Sequence, residues 1–333
     1  MKTRVVRFHE LGGPEVLRIE SLDVPVPGAG EVLVRMEAIG LNRAEAAFRH
    51  GHYFEQPTLP SRIGYEGAGR VEALGAGVSG FRPGDAVCII PGFSMTRYGV
   101  YAEQAVVPAS ALLPRPAGLS AVDGAAIWMP LLTAYGALVD ITGLKAGEAV
   151  LITAASSSVG LAAIEIANAL GAVPIAVTRT AAKAAALKAA GAAHVIVTDT
   201  QDIAAETRRI TGERGARLAF DPIGGPVDPL ADALGFGGSL IVYGNLSGQA
   251  RNMVFPFAAS ALKGITMRAY LVFEIISDPA RFARARDYIL AGLAAGRFRA
   301  RIARTFPFEQ IVDAHRYLES NQQIGKVVVT VGS

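Results

Sequence analysis

A single cysteine, Cys88, stands in 333 residues, which excludes an internal disulfide and any zinc site built from several thiolates. Neither sign of charge is in large excess. A formal net charge of +3 with interspersed signs supplies no basic block for nucleic acid and suits at most an anionic small molecule. Residues 1–10 lack the apolar core of a secretion signal, and no apolar run crosses a bilayer without polar interruption. A soluble, cytoplasmic protein without a membrane partner is the expectation.

What is present is apolar material in quantity. Hydrophobic residues form 51% of the chain, enough for a large core, and the length corresponds to roughly two domains. The first part alternates in short runs, at residues 2–8, 16–20, 31–40, 86–90 and 101–107, separated by Gly- and Pro-rich turns such as Pro83-Gly84-Asp85. Repeated short strands with few helices predict a small distorted barrel. From Ser120 the texture becomes Ala-rich helix, at residues 121–129 and 131–141. Five strand-like runs then alternate with helices: residues 149–154, 173–177, 194–197, 216–220 and 239–243. That alternation predicts a doubly wound parallel sheet with both faces covered. Residues 264–272 read as strand, 280–294 as helix and 326–331 as a closing strand; this tail is too short to stand alone and is expected to return to the first domain.

The stretch AVLITAASSSVGLAAIEIANAL, residues 149–170, opens the alternating part. Apolar strand, tight turn and helix are the start of a dinucleotide-binding βαβ unit, but against G-x-G-x-x-G the chain has Ala155, Ser157 and Gly160. Only the third glycine survives. A helix N-terminus still offers free N–H groups and positive dipole to a pyrophosphate, so Ser156, Ser157, Ser158 and Val159 are read as its contacts. Cofactor identity rests on the end of the second strand. Thr178-Arg179-Thr180, with Lys183 one turn on, contains no carboxylate for a ribose 2′-hydroxyl and two cations for a 2′-phosphate, which predicts NADPH. Tyr243 and Gly244 follow the fifth strand at a carboxyl end, where ligands bind in such sheets.

Several segments match one family in order and spacing: GLNRAEAAFRHGHY at 40–53, GYEGAGRVEALGAGVSGFRPGDAV at 64–87 and LLTAYGAL at 131–138, then the Ser-rich turn, GGSLIVYGNLSG at 237–248 and NQQIGKVVV at 321–329. On these, the chain resembles, nearly end to end, the zinc-independent quinone oxidoreductase branch of the medium-chain dehydrogenase/reductases. The resemblance implies an α/β plus β fold: a GroES-like distorted β-barrel catalytic domain, residues 1–122 and 263–333, split around a Rossmann-like NADPH-binding domain, residues 123–262. It also implies a homodimer. Relatives that bind zinc place cysteine and histidine where this chain has Leu41-Asn42 and Tyr65, so no metal is expected.

By the same resemblance Asn42 lies near the nicotinamide and Tyr53 is a pocket tyrosine able to donate to a substrate carbonyl; a second tyrosine common in bacterial members is Ala47 here. Thr133 matches a threonine near the carboxamide, and Leu246 the segment after the fifth strand. Asn321 and Lys326 are expected where the tail returns to the cofactor, Lys326 with a phosphate. Arg49 reads as a salt-bridge or interdomain residue. The implied activity is NADPH-dependent, metal-independent reduction of quinones or α,β-unsaturated carbonyls. The alternatives are a zinc-type alcohol dehydrogenase, which the missing ligands disfavour, and a non-catalytic NADPH-binding protein of crystallin-like or regulatory kind.

Overall fold

The computed structural model describes residues 2–332, in two compact units: Met1–Met129 with Ala300–Ser333, and Pro130–Arg299. In the first, β1 (Lys2–Arg7) and β2 (Arg18–Asp23) form an antiparallel pair. The chain then runs through β3 (Glu31–Gly40), α1 (Arg43–Arg49), β4 (Glu66–Leu74), β5 (Ala86–Ile89), β6 (Gln104–Pro108) and β7 (Leu112–Pro114). Two register shifts along the β3–β4 ladder bend these strands as the closing of a small barrel requires.

Helix α2 (Ala121–Tyr135) is a single helix with Pro130 inside it, followed by a π-helical turn at Gly136–Ile141, where the sequence suggested two helices. Together, Ala121–Ile141 is, among the described residues, the one helix long and apolar enough to cross a membrane; 83% of its most apolar stretch is buried, as in a core helix. Trp128, the only tryptophan, is fully buried beside Cys88. Burial pushes the Cys88 thiol up to about 12, so it is no thiolate nucleophile near neutral pH.

The second unit alternates β8 (Ala149–Ile152), α3 (Ser158–Ala169), β9 (Val173–Thr178), α4 (Ala184–Ala189), β10 (His194–Val197), α5 (Ile203–Thr211), β11 (Ala216–Asp221), α6 (Asp228–Ala233) and β12 (Leu234–Val242). Helix α7 (Phe257–Lys263) leads into β13 (Thr266–Ala269), and α8 (Phe273–Ile276) and α9 (Pro279–Ala294) close the unit. All pairings are parallel and the strand order is β10-β9-β8-β11-β12-β13. Winding reverses beside β8, so the carboxyl ends of β8 and β11 flank the switch point where such sheets bind ligands. Residues 149–152 are buried on both faces, which is why they read as an unbroken apolar run.

The tail adds β14 (Ile302–Pro307), α10 (Ile311–Glu319) and β15 (Lys326–Thr330) to the first unit. There β15 pairs antiparallel with β3, completing a sheet of order β14-β15-β3-β4-β5-β7 with β6 against β3. The return occurs later than the sequence suggested. Residues 263–299 stay with the second unit because β13 is its sixth strand, Ser239 to Val242 pairing with Thr266 to Ala269. Beyond α9, Phe298 is 2% exposed and packs so closely on Gly292 that a Cβ there would meet its ring at 2.0 Å. The Arg299 N–H then reaches the Glu165 carboxylate on α3 at 3.2 Å.

Gly292→Ala should therefore destabilise the protein by about 1–3 kcal/mol through overpacking, measured by urea unfolding. Adding Phe298→Leu to the same chain should recover part of the loss; no recovery would mean that the Gly292–Phe298 contact does not hold the end of α9.

Candidate functional site

In the second unit the Ser-rich turn joins β8 to α3. Ala154 has φ 43°, left-handed for a residue with a Cβ, at a cost of roughly 1–2 kcal/mol. Strain of this kind gathers at ligand-binding turns. Ser157 is the N-cap of α3, its Oγ accepting from the Gly160 N–H at 3.0 Å. Gly160 itself cannot be larger, since a Cβ would stand 2.6 Å from the Ala155 carbonyl oxygen, so it sets the close packing of helix on turn. Ser158 and Val159 open the helix behind this cap.

Two cations stand at this end of the sheet. Lys183 Nζ donates to Ser156 Oγ at 3.0 Å, and its pKa is lowered by burial and by the neighbouring Arg179. An anion beside it would offset both effects by favouring the charged lysine. Arg179 is exposed and Thr178 half-buried at the end of β9. At the end of β11, the buried Asp221 accepts from Thr153 Oγ1 and, at 2.8 Å, from the Gly224 N–H, fixing the following loop. Tyr243 stacks on Phe220 with centroids 4.0 Å apart. Its buried hydroxyl, facing Ser157, makes no hydrogen bond of normal geometry and is pushed well up by burial. Gly244 and Leu246 follow, the Leu246 N–H bonded to the Pro222 carbonyl at 3.0 Å. Thr133 is buried on α2.

The first unit holds the remaining candidates. Asn42 precedes α1 as its N-cap, and Glu45, three residues on, closes a capping box, its Oε2 accepting from the Asn42 N–H at 2.5 Å. Glu45 Oε1 accepts from Asn42 Nδ2 and from the Tyr65 N–H, each at 3.2 Å. Asn42 Nδ2 also donates to the Gly40 carbonyl at 3.2 Å, and Asn42 Oδ1 accepts from Lys326 Nζ at 2.6 Å. Lys326 donates in turn to Glu66 Oε2 at 2.5 Å, while Glu66 Oε1 accepts from the Met129 N–H at 2.8 Å. Glu45 and Glu66 are 0% exposed, Lys326 1% and Asn42 8%.

This places Lys326 differently from the phosphate contact that the sequence suggested. A carboxylate buried as Glu66 is requires a cation at hand, and Lys326 is that cation. Asn321, with φ 59°, follows α10 on the surface, and its Oδ1 accepts from the Arg43 guanidinium. Arg49 is buried and ion-paired with Glu319, the salt bridge that was one of its two readings.

Tyr53 lies in the loop after α1, half-buried, with its ring 6.2 Å from that of Tyr65 and 5.4 Å from that of Phe54. Burial raises its pKa to about 12, although a hydrogen bond with Tyr65 works the other way, so the hydroxyl keeps its proton near neutral pH. Burial likewise raises Glu45 to about 7 against the attraction of Lys326. The folded value lies above the ordinary 4.5, so the native state holds the extra proton between those two pH values. Stability from this group is complete below the window and lost as pH rises through it.

Glu45, Glu66 and Asp221 were missed in the sequence. Asn42-x-x-Glu45 is a capping-box pattern and could have been read as one; nothing local marks Glu66 or Asp221. Among the described residues no group of three or more His, Cys, Asp or Glu is placed to hold a metal ion.

One unit built as a small barrel and another built on a parallel sheet are the two parts of a medium-chain dehydrogenase/reductase, and the comparisons with known proteins agree. The alcohol dehydrogenase GroES-like domain family matches residues 28–117 and the zinc-binding dehydrogenase family residues 158–291. Similar proteins include the synaptic vesicle membrane protein VAT-1 homolog of Rattus norvegicus, 31% identical over 96% of this chain and 82% of that one. The quinone oxidoreductase of Lama guanicoe is 32% identical over 98% and 97%. The crystal structure of Escherichia coli quinone oxidoreductase complexed with NADPH superposes with a TM-score of 0.91 at 29% identity, covering 98% and 99%. The chain belongs to the quinone oxidoreductase branch of this superfamily.

Removing one partner of a buried ion pair costs about 3–5 kcal/mol, so Lys326→Met should lower the unfolding free energy by about that much. Lys326→Met with Glu66→Gln should lose distinctly less, because no charge is then left alone in the core; equal losses would deny the pairing its role.

Proposed function

We propose that the protein is an NADPH-dependent, metal-independent reductase of quinones or α,β-unsaturated carbonyls. One observation carries the cofactor half of this reading: Lys183, bonded to Ser156, and Arg179 stand together at the carboxyl ends of β8 and β9 with no carboxylate in the Thr178-Arg179-Thr180 turn. A ribose 2′-hydroxyl finds no carboxylate there, whereas a 2′-phosphate finds two cations and a hydroxyl. The helix-capping turn fits a pyrophosphate, with Ser156, Ser157, Ser158 and Val159 as its contacts and Gly160 leaving room for none but a bare backbone. Thr133, Tyr243, Gly244 and Leu246 are assigned to the nicotinamide side. NADPH, when bound, supplies the hydride.

The protein's own share is orientation and charge stabilisation. Tyr53 keeps its proton and is assigned to donate a hydrogen bond to the acceptor oxygen as negative charge develops on it. Asn42 is assigned to the nicotinamide's surroundings. Both its amide hydrogens and its oxygen are already engaged, so it contributes as part of that wall, placed by its partners, rather than as a free donor. Catalytic zinc needs about three protein ligands, and the donor set does not fit: Leu41, Asn42 and Tyr65 stand at the positions in question, and Glu66 is committed to Lys326. We also propose a homodimer formed through the second unit. Among the described residues its edge strand β13 has no strand on its outer side, and Phe236, Val254, Phe257 and Leu262 are each more than 70% exposed, an apolar surface that asks for a cover.

Titration should show NADPH bound much more tightly than NADH. Arg179→Ala and Lys183→Ala should each weaken NADPH by about 10–100-fold, the worth of a charge-assisted hydrogen bond, and leave NADH unchanged. Equal wild-type affinities would refute the cofactor assignment. Steady-state assays with quinone and enone panels decide the reaction; tight NADPH binding without turnover on either would favour a non-catalytic NADPH-binding protein. For assembly, Phe257→Asp with Leu262→Asp should turn a dimer into a monomer in sedimentation, and a monomeric wild type would end that part of the reading.

A further inference from the structure

The first unit buries two carboxylates, Glu45 and Glu66, around one ammonium, Lys326. Lys326 and Glu66 touch at 2.5 Å and offset each other, and Lys326 spends a second hydrogen bond on Asn42 rather than on Glu45. Glu45 meets no cation directly. Its three partners are neutral donors: the Asn42 N–H, the Asn42 side-chain amide and the Tyr65 N–H. A fully buried carboxylate in that setting is balanced between burial, which favours the acid, and three hydrogen bonds, which favour the anion.

We propose that Glu45 is a proton-linked positioning residue, which by taking up or releasing one proton sets the place of Asn42. Deprotonated, Glu45 accepts the Asn42 main-chain N–H on one oxygen and the Asn42 amide on the other, so the residue is gripped at both ends. When a solvent proton adds to the oxygen 2.5 Å from the Asn42 N–H, that oxygen loses its charge and one of its acceptor lone pairs, so a charge-assisted bond becomes a weaker neutral one and the grip on the backbone loosens. The amide cannot answer by turning over, because Lys326 holds Asn42 Oδ1 at 2.6 Å and would then meet an NH₂ group. The loosening is therefore taken up at the backbone, and Asn42 moves with the start of α1.

The tyrosines around Glu45 do not compete with it for a proton near neutral pH. Tyr53 and Tyr65, and Tyr101 ahead of β6, all feel Glu45, and burial raises each of their pKa values, so their hydroxyls stay neutral through the relevant range. From α10, Glu319 and His315 face Arg49 and Tyr101 instead. Glu45 is fully buried and its pKa is raised to about 7.

The consequence for turnover rests on the proposed reading of Asn42 as part of the nicotinamide's surroundings; the movement itself does not. Asparagine-selective ¹⁵N labelling gives only five residues to resolve, and Asn42→Ala identifies the signal of interest. Between pH 5.5 and 8.5, the Asn42 main-chain and side-chain signals should titrate with a midpoint near 7 in the wild type and stay fixed in Glu45→Gln. With NADPH and a quinone, kcat of the wild type should fall about tenfold below that midpoint. Glu45→Gln should give a low kcat without that inflection, with NADPH affinity within about twofold of wild type. An Asn42 signal that does not titrate, or one that titrates equally in Glu45→Gln, overturns the proposal. Absence of turnover in the wild type strikes only the functional reading, because the labelling experiment judges Glu45 without it.

Discussion

The first unit depends on one requirement: a carboxylate buried as deeply as Glu66 must have a cation beside it. Glu66 opens β4, and its cation arrives from β15, 260 residues later, after the chain has built the whole second unit. The Lys326–Glu66 pair is therefore where the two halves of a discontinuous unit are chemically joined, alongside the β15–β3 ladder. A second tie of the same kind runs from the buried Arg49 on α1 to Glu319 on α10. Ion pairs of this sort add little net stability over an apolar core, but they are unforgiving of error, which makes them a means of fixing which tail strand lies where.

The second unit follows a different logic. Its central strands β8, β9 and β11 are held by apolar burial on both faces, and the candidate cofactor groups lie in the loops at the carboxyl ends. There the Ser-rich turn replaces two glycines of the usual fingerprint without losing its function as a helix-capping bend. Ser157 caps α3 with its own hydroxyl, Ala154 accepts a left-handed backbone, and Gly160 alone meets a contact that no side chain could. The fingerprint is thus a set of physical demands, of which only the third strictly requires glycine here.

These two logics explain what could be read from the sequence. Parallel strands such as residues 149–152 were legible because burial on both faces makes a continuous apolar run, and the family segments gave the order of the parts. Strand β13 reads Thr-Met-Arg-Ala at the edge of its sheet, half exposed, so nothing in it announced membership of that sheet and the predicted boundary fell too early. The tail elements β14 and α10 were unread for similar reasons, being short and mixed in polarity. Among site residues, those set by local geometry were visible: the turn serines and the Arg179–Lys183 cations lie within one βα unit. The partner of Lys326 was not, because a contact spanning most of the chain leaves no local pattern and a lone lysine before an apolar strand suggests a surface or a phosphate.

The placement of the single tryptophan has a practical side. Trp128 is sealed in the first unit beside Cys88, and the second unit contains no indole at all. Emission excited at the red edge of the ultraviolet band therefore watches one half of the molecule only. A denaturation curve recorded that way follows loss of the barrel core and is blind to the parallel sheet, whereas far-ultraviolet dichroism sees both; coincidence of the two curves would mean that the units unfold as one cooperative body.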